Sequence, residues 1–287
     1  MIGFAVPERL AALAGWRRVL VAFGLGVLLV AALPPFYLLP AALVALVGFV
    51  WLLDGAVSRR RALVDGWLFG AGFSLAGLYW IANALLVDAA SHGWMVPFAL
   101  LALAAGFGLF PAAVAALAAW APPGRSRILA FAAAWLVVEW LRSWLFTGFP
   151  WNLLGTGFAF APELLQPAAW GGPWLLSALL LVIALAPAWA VAVPPTRRRR
   201  ALTLGLAVSL GVFGLHYGLG AARLAAHPTV LVPGITLRLV QPAIDQADKW
   251  RASLRNSHFA THIALSLSQS SVEPTAIIWP EAAIPWQ

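Results

Sequence analysis

The stretch "PPTRRRRALTLGLAVSLGVFGLHYGLG", Pro194 to Gly220, sets four consecutive arginines against an apolar run that continues to about residue 220. About 20 apolar residues cross the hydrocarbon core of a bilayer as a helix. A run of that length reads as a membrane span, and the arginines before it as a short basic loop that fixes which side the loop occupies.

Working outward, the same unit recurs along the chain. Apolar runs lie at 19–33, 37–53, 63–82, 95–120, 128–146, 173–193 and 201–220, which predicts about seven spans. Composition agrees: the 287 residues are 62% hydrophobic and only 10% charged, with a mean hydropathy of +0.88. Soluble domains carry roughly 25% charged residues. Arg17 and Arg18 precede the first run, but "PPFY" and a second long run follow it. The first run therefore reads as a retained span and not as a cleaved leader.

The net charge of +8 is almost wholly arginine, since Lys249 is the one lysine. The clusters Arg9, Arg17 and Arg18; Arg59 to Arg61; Arg125 and Arg127; and Arg197 to Arg200 occupy every second connection. The alternate connections, near Pro34–Pro35, at 83–94 and at 147–172, have neither Lys nor Arg. All clusters fall on one side if the N-terminus is cytoplasmic, and residues beyond about 221 are then outside the cytoplasm. Arginines spread between spans do not make the single basic face that nucleic-acid binding needs. The absence of cysteine excludes disulfides, thiolate zinc sites and a cysteine nucleophile within these residues.

The pattern changes at Arg223. "ITLRLVQPAI" (235–244) predicts a strand and "ADKWRASLRNSHFATHIALSLSQSS" (247–271) an amphipathic helix. On that helix Leu254, Ile263 and Leu267 share a face, and Arg251, Arg255 and His262 are polar positions. "PTAIIWPE" (274–281) predicts a second strand. Strand–helix–strand is a βαβ unit, whose parallel sheet needs more strands to bury both faces. The expected organisation is a helical membrane domain over 1–222 and the start of an α/β domain over 223–287, with the sequence stopping inside it.

Glu281 follows the second strand, with Pro280 and Pro285 restricting the backbone around it. A carboxylate at the carboxyl end of a parallel strand stands where α/β folds place ligands. Partial burial there would suit it to general-base work; an ordinary exposed loop glutamate has the same spacing.

"IIWPEAAIP" resembles the first catalytic motif of the carbon–nitrogen hydrolase (nitrilase) superfamily, and "LRLVQPAIDQADKW" resembles that superfamily's opening strand and loop. With "EWLRSWLFTGFPWNLLG" (139–155) in a polytopic chain, the resemblance is to the apolipoprotein N-acyltransferases. It implies a polytopic α-helical membrane bundle followed by the start of a nitrilase-like α/β domain, an αββα sandwich, on the periplasmic side of a bacterial inner membrane. It also implies a Glu–Lys–Cys triad in which the cysteine takes an acyl group from a phospholipid as a thioester. The α-amine of an apolipoprotein's diacylglyceryl-cysteine then accepts that group. No cofactor or metal is implied. Glu281 matches the family's glutamate, the general base. Trp250 matches a tryptophan used near the active site, or is a packing aromatic. The family's lysine and cysteine lie downstream of the glutamate. Lys249 precedes Glu281 and does not match, so the 287 residues are expected to be catalytically incomplete alone. A tethered nitrilase-like amidase and a transporter or structural membrane protein are the alternatives.

Glu139 and Arg142, at i and i+3 on the fifth run, are ionisable groups at membrane depth. They either neutralise each other or serve function, and the resemblance places "TGFPWN" as an outer loop beside the active site, where Arg142 would meet a lipid phosphate. His258 and His262 have a zinc-compatible i,i+4 spacing but no acidic third ligand in sequence, which favours a solvated helix face. Trp94, Trp144, Trp151 and Trp170 fall at expected outer boundaries, as interface anchors do.

Overall fold

A computed structural model describes residues 6–246, 248–281 and 283, and only the backbone of 190–192. Pro285 and Ala247, which figure in the sequence reading, lie outside the described residues. The chain forms two compact units. One combines the residues up to 82 with 97–227; the other combines 83–96 with the residues from 228 onward.

The first unit is helical. Its elements are α1 (Val6–Ala11), α2 (Gly15–Val30), α3 (Leu39–Asp54), α4 (Arg59–Leu78), α5 (Val96–Ala118), α6 (Arg125–Arg142), α7 (Ala168–Leu185) and α8 (Arg198–Ala226). Every apolar run of the sequence lies largely within one of these helices. Among the described residues, 4 helical stretches are long and apolar enough to cross a membrane: Arg59–Leu86, Ala89–Ala118, Ala168–Trp189 and Pro195–Ala226. That is fewer than the expected seven, for a physical reason. Helices α2 and α3 have 16 residues each, about 24 Å at 1.5 Å per residue, against a hydrocarbon core of about 30 Å. Helix α6 carries Arg125, Arg127, Glu139 and Arg142 within its bounds.

Helix α3 is the centre of the bundle, with Leu46, Phe49, Val50 and Leu52 fully buried. Phe49 meets Phe69 of α4 at 4.2 Å between ring centroids and Phe131 of α6 at 5.9 Å, so one aromatic cluster ties three helices together. Helices α2 and α4 approach through glycine. A Cβ on Gly26 would lie 1.9 Å from the Phe69 carbonyl oxygen, and one on Gly72 would lie 2.2 Å from that of Phe23. Small residues permit this backbone contact where no hydrophobic effect drives helices together.

The arginine clusters converge on one end of the bundle. Arg18 is only 2% exposed. Its Nε and Nη2 donate to Asp65 Oδ2 at 3.0 and 2.7 Å, and Nη2 also donates to the Leu52 carbonyl at 2.7 Å. Arg61 Nε approaches the other Asp65 oxygen at 3.1 Å. Arg127 donates from Nη1 to the Leu53 carbonyl at 2.9 Å and lies 3.6 Å from Asp54. Arg198 pairs with Glu8. At the C-terminus of α3 the Leu52 and Leu53 carbonyls, which already accept from the Gly55 and Ala56 backbone N–H groups, gain a second donor each in Arg18 and Arg127. The topology signals of the sequence are thus also helix caps.

In the second unit β1 (Leu237–Leu239) and β2 (Ala276–Ile278) pair in parallel, Leu237 opposite Ala276 and Leu239 opposite Ile278. Helix α9 (Arg255–Ser266) connects them. The βαβ order is as expected, but the helix begins later and ends earlier than 247–271, and its buried face differs. His262 and Ser266 are buried, whereas Ile263 and Leu267 are exposed. Polar bonding decides this. Ser266 Oγ accepts from Trp279 Nε1 at 2.8 Å, the Ser266 carbonyl accepts from Arg238, and the His262 ring lies 5.2 Å from that of Trp279. The side of α9 that meets the strands is therefore the one that can satisfy Trp279 and Arg238.

Candidate functional site

At the end of the first unit away from the arginine clusters, α6 delivers Glu139 and Arg142. Glu139 is 4% exposed. Its Oε2 accepts from Trp135 Nε1 and from the Leu154 backbone N–H, both at 3.1 Å, while Oε1 has no hydrogen-bond partner among the described residues. Trp135 stands one turn before Glu139, a spacing visible in the sequence but not used there. Leu154 opens a short 3₁₀ turn, Leu154–Phe158, and Ser177 Oγ of α7 accepts the next N–H, of Gly155, at 2.9 Å. Glu139 and Ser177 therefore pin the loop that follows α6.

The expected pairing of Glu139 with Arg142 is not made: among the described residues no ion pair joins them within 4.0 Å. The carboxylate turns back to Trp135 and the loop, leaving the Arg142 guanidinium without a bonded partner among the described residues. Arg142 lines two adjacent pockets. One, about 30 Å³, also touches Ser74, Phe107, Trp135 and Glu139, with room for a water or two. The other, about 410 Å³, is walled by Leu103, Phe107, Phe110, Leu145, Phe146 and Phe149. A guanidinium at the edge of two mostly apolar pockets, the smaller of which Ser74 and Glu139 also line, can hold an anionic group joined to a hydrocarbon chain.

The loop itself is strained. Phe146, Thr147 and Asn152 all have positive φ, at 53°, 73° and 53°. Non-glycine residues held so cost of order 1–3 kcal/mol each and gather at functional sites. Phe146, Trp144, Trp151 and Trp170 are exposed on this end, as an interfacial aromatic belt requires.

In the second unit, a crevice of about 160 Å³ opens beyond the carboxyl ends of β1 and β2. Gln241 to Ile244 line it after β1, Pro280 and Glu281 after β2, and His258 and His262 from α9; Lys249 completes the wall. Glu281 is exposed, not partly buried as expected, because it sits in a turn past the last strand residue. Trp250 is 55% exposed and does not line the crevice; the Lys249 ammonium lies 5.7 Å from its ring centroid. His262 is 2% exposed with Nε2 unpartnered among the described residues. The fold supplies the carboxylate beside the two histidines that the sequence lacked nearby, yet among the described residues no group of three or more His, Cys, Asp or Glu is placed to hold a metal. Sequence spacing could not bring Lys249, His262 and Glu281 together, because the parallel crossover does so.

Residues 25–186 match the model of the apolipoprotein N-acyltransferase N-terminal domain. An apolipoprotein N-acyltransferase of Allorhizobium ampelinum is 40% identical over 297 aligned positions, which cover 97% of this chain and 55% of the relative. That of Brucella melitensis is 39% identical over 97% of this chain and 54% of its own length. The chain belongs to the apolipoprotein N-acyltransferase family. It spans about half the length of the curated relatives it matches. The alignments with these relatives extend beyond residues 25–186 into the second unit.

Proposed function

We propose that this chain is the membrane-embedded N-terminal part of an enzyme that transfers an acyl group from a phospholipid to the α-amine of a diacylglyceryl-cysteine at the N-terminus of an apolipoprotein. Residues 1–222 are its transmembrane domain, with about seven spans and the N-terminus in the cytoplasm. Residues 223–287 begin a nitrilase-like αββα domain on the periplasmic face of the inner membrane. The exposed strand residues Leu239 and Ile278 support a sheet that continues in the whole enzyme.

The observation that carries this reading is the place of Glu281, in a crevice at the carboxyl ends of two parallel strands. In α/β folds that is where ligands bind. Glu281 acts there as the general base for a cysteine thiol supplied by the rest of the enzyme, since these residues contain none. It takes the thiol proton as sulfur attacks the lipid ester and returns a proton to the departing lysophospholipid oxygen. Arg142 binds the phosphate of the lipid donor, and Trp250 borders the acceptor. The bundle brings this chemistry to the bilayer surface, which matters because neither lipid substrate leaves the membrane readily.

The test uses the full-length enzyme and a phospholipid with an alkyne-tagged acyl chain. Glu281→Gln should lower thioester formation by about 10²–10⁴-fold, the range for loss of a general base. Normal acylation by that variant would refute the role.

A further inference from the structure

The connection between α5 and α6 is pinned to the end of α3. The Gly124 N–H donates to both Asp54 carboxylate oxygens, at 3.2 and 3.3 Å, and Arg127 donates to the Leu53 and Ala121 carbonyls. Two cation–aromatic pairs flank this connection. Before it, the Arg59 guanidinium, from the start of α4, lies with Cζ 4.4 Å from the Trp120 ring centroid. After it, Arg125, the first residue of α6, lies with Cζ 5.3 Å from the ring centroid of Trp189, in the 3₁₀ turn that follows α7. That turn is itself tied to α3, because Trp51 Nε1 donates to the Ala188 carbonyl at 3.1 Å. Both pairs therefore join elements that are separate in sequence.

The charge at this end is not balanced. Its acids are Glu8, Asp54 and Asp65, and Arg18, Arg61, Arg127 and Arg198 already meet them. Arg59 and Arg125 are exposed, and neither has a hydrogen bond or an ion pair among the described residues. The opposite end of the helical unit carries as many acids as arginines, Glu139 and Glu163 with Arg142 and Arg223.

A positive surplus alone sets topology, and lysine would serve that purpose as well. These two guanidiniums are placed more narrowly. An indole seats itself at the headgroup level of a bilayer, and Trp120 is 69% exposed to take that place. An arginine resting on such a ring is held at the height of the lipid phosphodiesters. The ring covers one flat face of the guanidinium and leaves the N–H donors of its edge for an oxyanion, which a planar fork can bind through two hydrogen bonds. A zwitterionic headgroup would bring its own ammonium against the surplus arginines, whereas an anionic one would not.

We propose that Arg59 and Arg125, each carried on its tryptophan, bind the phosphodiesters of anionic phospholipids around the α5–α6 connection. The proposal concerns the end away from Arg142 and does not rest on acyl transfer.

The test is native mass spectrometry of the full-length protein, titrated with phosphatidylglycerol or phosphatidylcholine whose chains are ether-linked and so give up no acyl group. In about 0.5 M ammonium acetate the Debye length is about 4 Å, which screens diffuse attraction. The parent protein should bind phosphatidylglycerol about tenfold more tightly than phosphatidylcholine. Arg59→Lys combined with Arg125→Lys keeps every charge, and with it the topology, but loses the planar fork; it should cut the preference about fivefold. Trp120→Leu, acting through Arg59 alone, should cut it about threefold. Arg60→Gln combined with Arg200→Gln removes two charges of the same end that have no tryptophan partner among the described residues, and should leave the preference within about twofold. A parent protein without the preference would overturn the proposal. So would a double lysine variant that keeps it, or an equal fall in both double variants, since either would show that charge alone suffices. Displacement of the lipid by an equal concentration of inorganic phosphate would overturn it by making a free anion the ligand.

Discussion

The two ends of the helical unit treat buried charge in opposite ways. At the arginine-rich end, Arg18, Arg127 and Arg198 each meet an acid, and the first two also reach the carbonyls that end α3. At the other end, Glu139 keeps one oxygen unbonded and Arg142 lines two pockets without a bonded partner among the described residues. Ionisable groups are expensive near a membrane. Where cations meet acids away from a pocket, the arrangement serves assembly, although Arg61 Nη2 keeps no hydrogen-bond partner among the described residues; where bonding capacity is left over beside a pocket, it is available to a ligand.

The sharpest way to break this contrast is Asp65→Leu. It leaves Arg18 and Arg61 facing an apolar side chain in a fully buried position, and removal of one partner from a buried pair costs about 3–5 kcal/mol. Thermal unfolding in detergent should show the largest loss of the series. If Asp65→Leu melts with the parent protein, the arginine-rich end is not the structural one.

Arg127→Gln should cost less, about 1.5–3 kcal/mol, the range for hydrogen bonds to a charged group, because Asp54 still accepts from the Gly124 backbone N–H once the guanidinium is gone. Arg142→Gln should change stability by no more than about 0.5 kcal/mol, as for residues without such partners, while lowering phospholipid turnover in the full-length enzyme. Equal destabilisation by Arg127→Gln and Arg142→Gln would erase the distinction between the ends.

The smallest effect concerns Asp88, in the second unit, whose Oδ1 accepts the Ser91 N–H at 3.2 Å. Hydrogen bonds from Ser91 hold its carboxyl below the ordinary value of 3.8. A depressed folded value means that the contribution is present above that ordinary value and is lost as pH falls through the folded one. Hydrogen exchange at the Ser91 amide should therefore show protection at pH 5 that fades in stronger acid. Asp88→Asn, whose cap does not titrate, should flatten the dependence.

Most of the helical unit could be read from hydropathy, because a span is a local property of its own residues. The alternating arginines foreshadowed a common end. That Arg18 would reach Asp65, 47 positions away, was not readable. The strand order around Glu281 was also local enough to anticipate. The buried face of α9 was not: polar partners on β1 and after β2 outweighed the hydrophobic pattern of Ile263 and Leu267. The turn of Glu139 away from Arg142 likewise depends on Leu154, fifteen residues on, which helical periodicity cannot register.

The clamp on α3 has a consequence for biosynthesis. Its final carbonyls are met by one arginine already made and by another 74 positions further along the chain. During translation this short central helix therefore lacks its second guanidinium until Arg127 emerges. A chain that reaches only as far as the connection between α3 and α6 holds that helix end by its own turn bonds and by Arg18 alone.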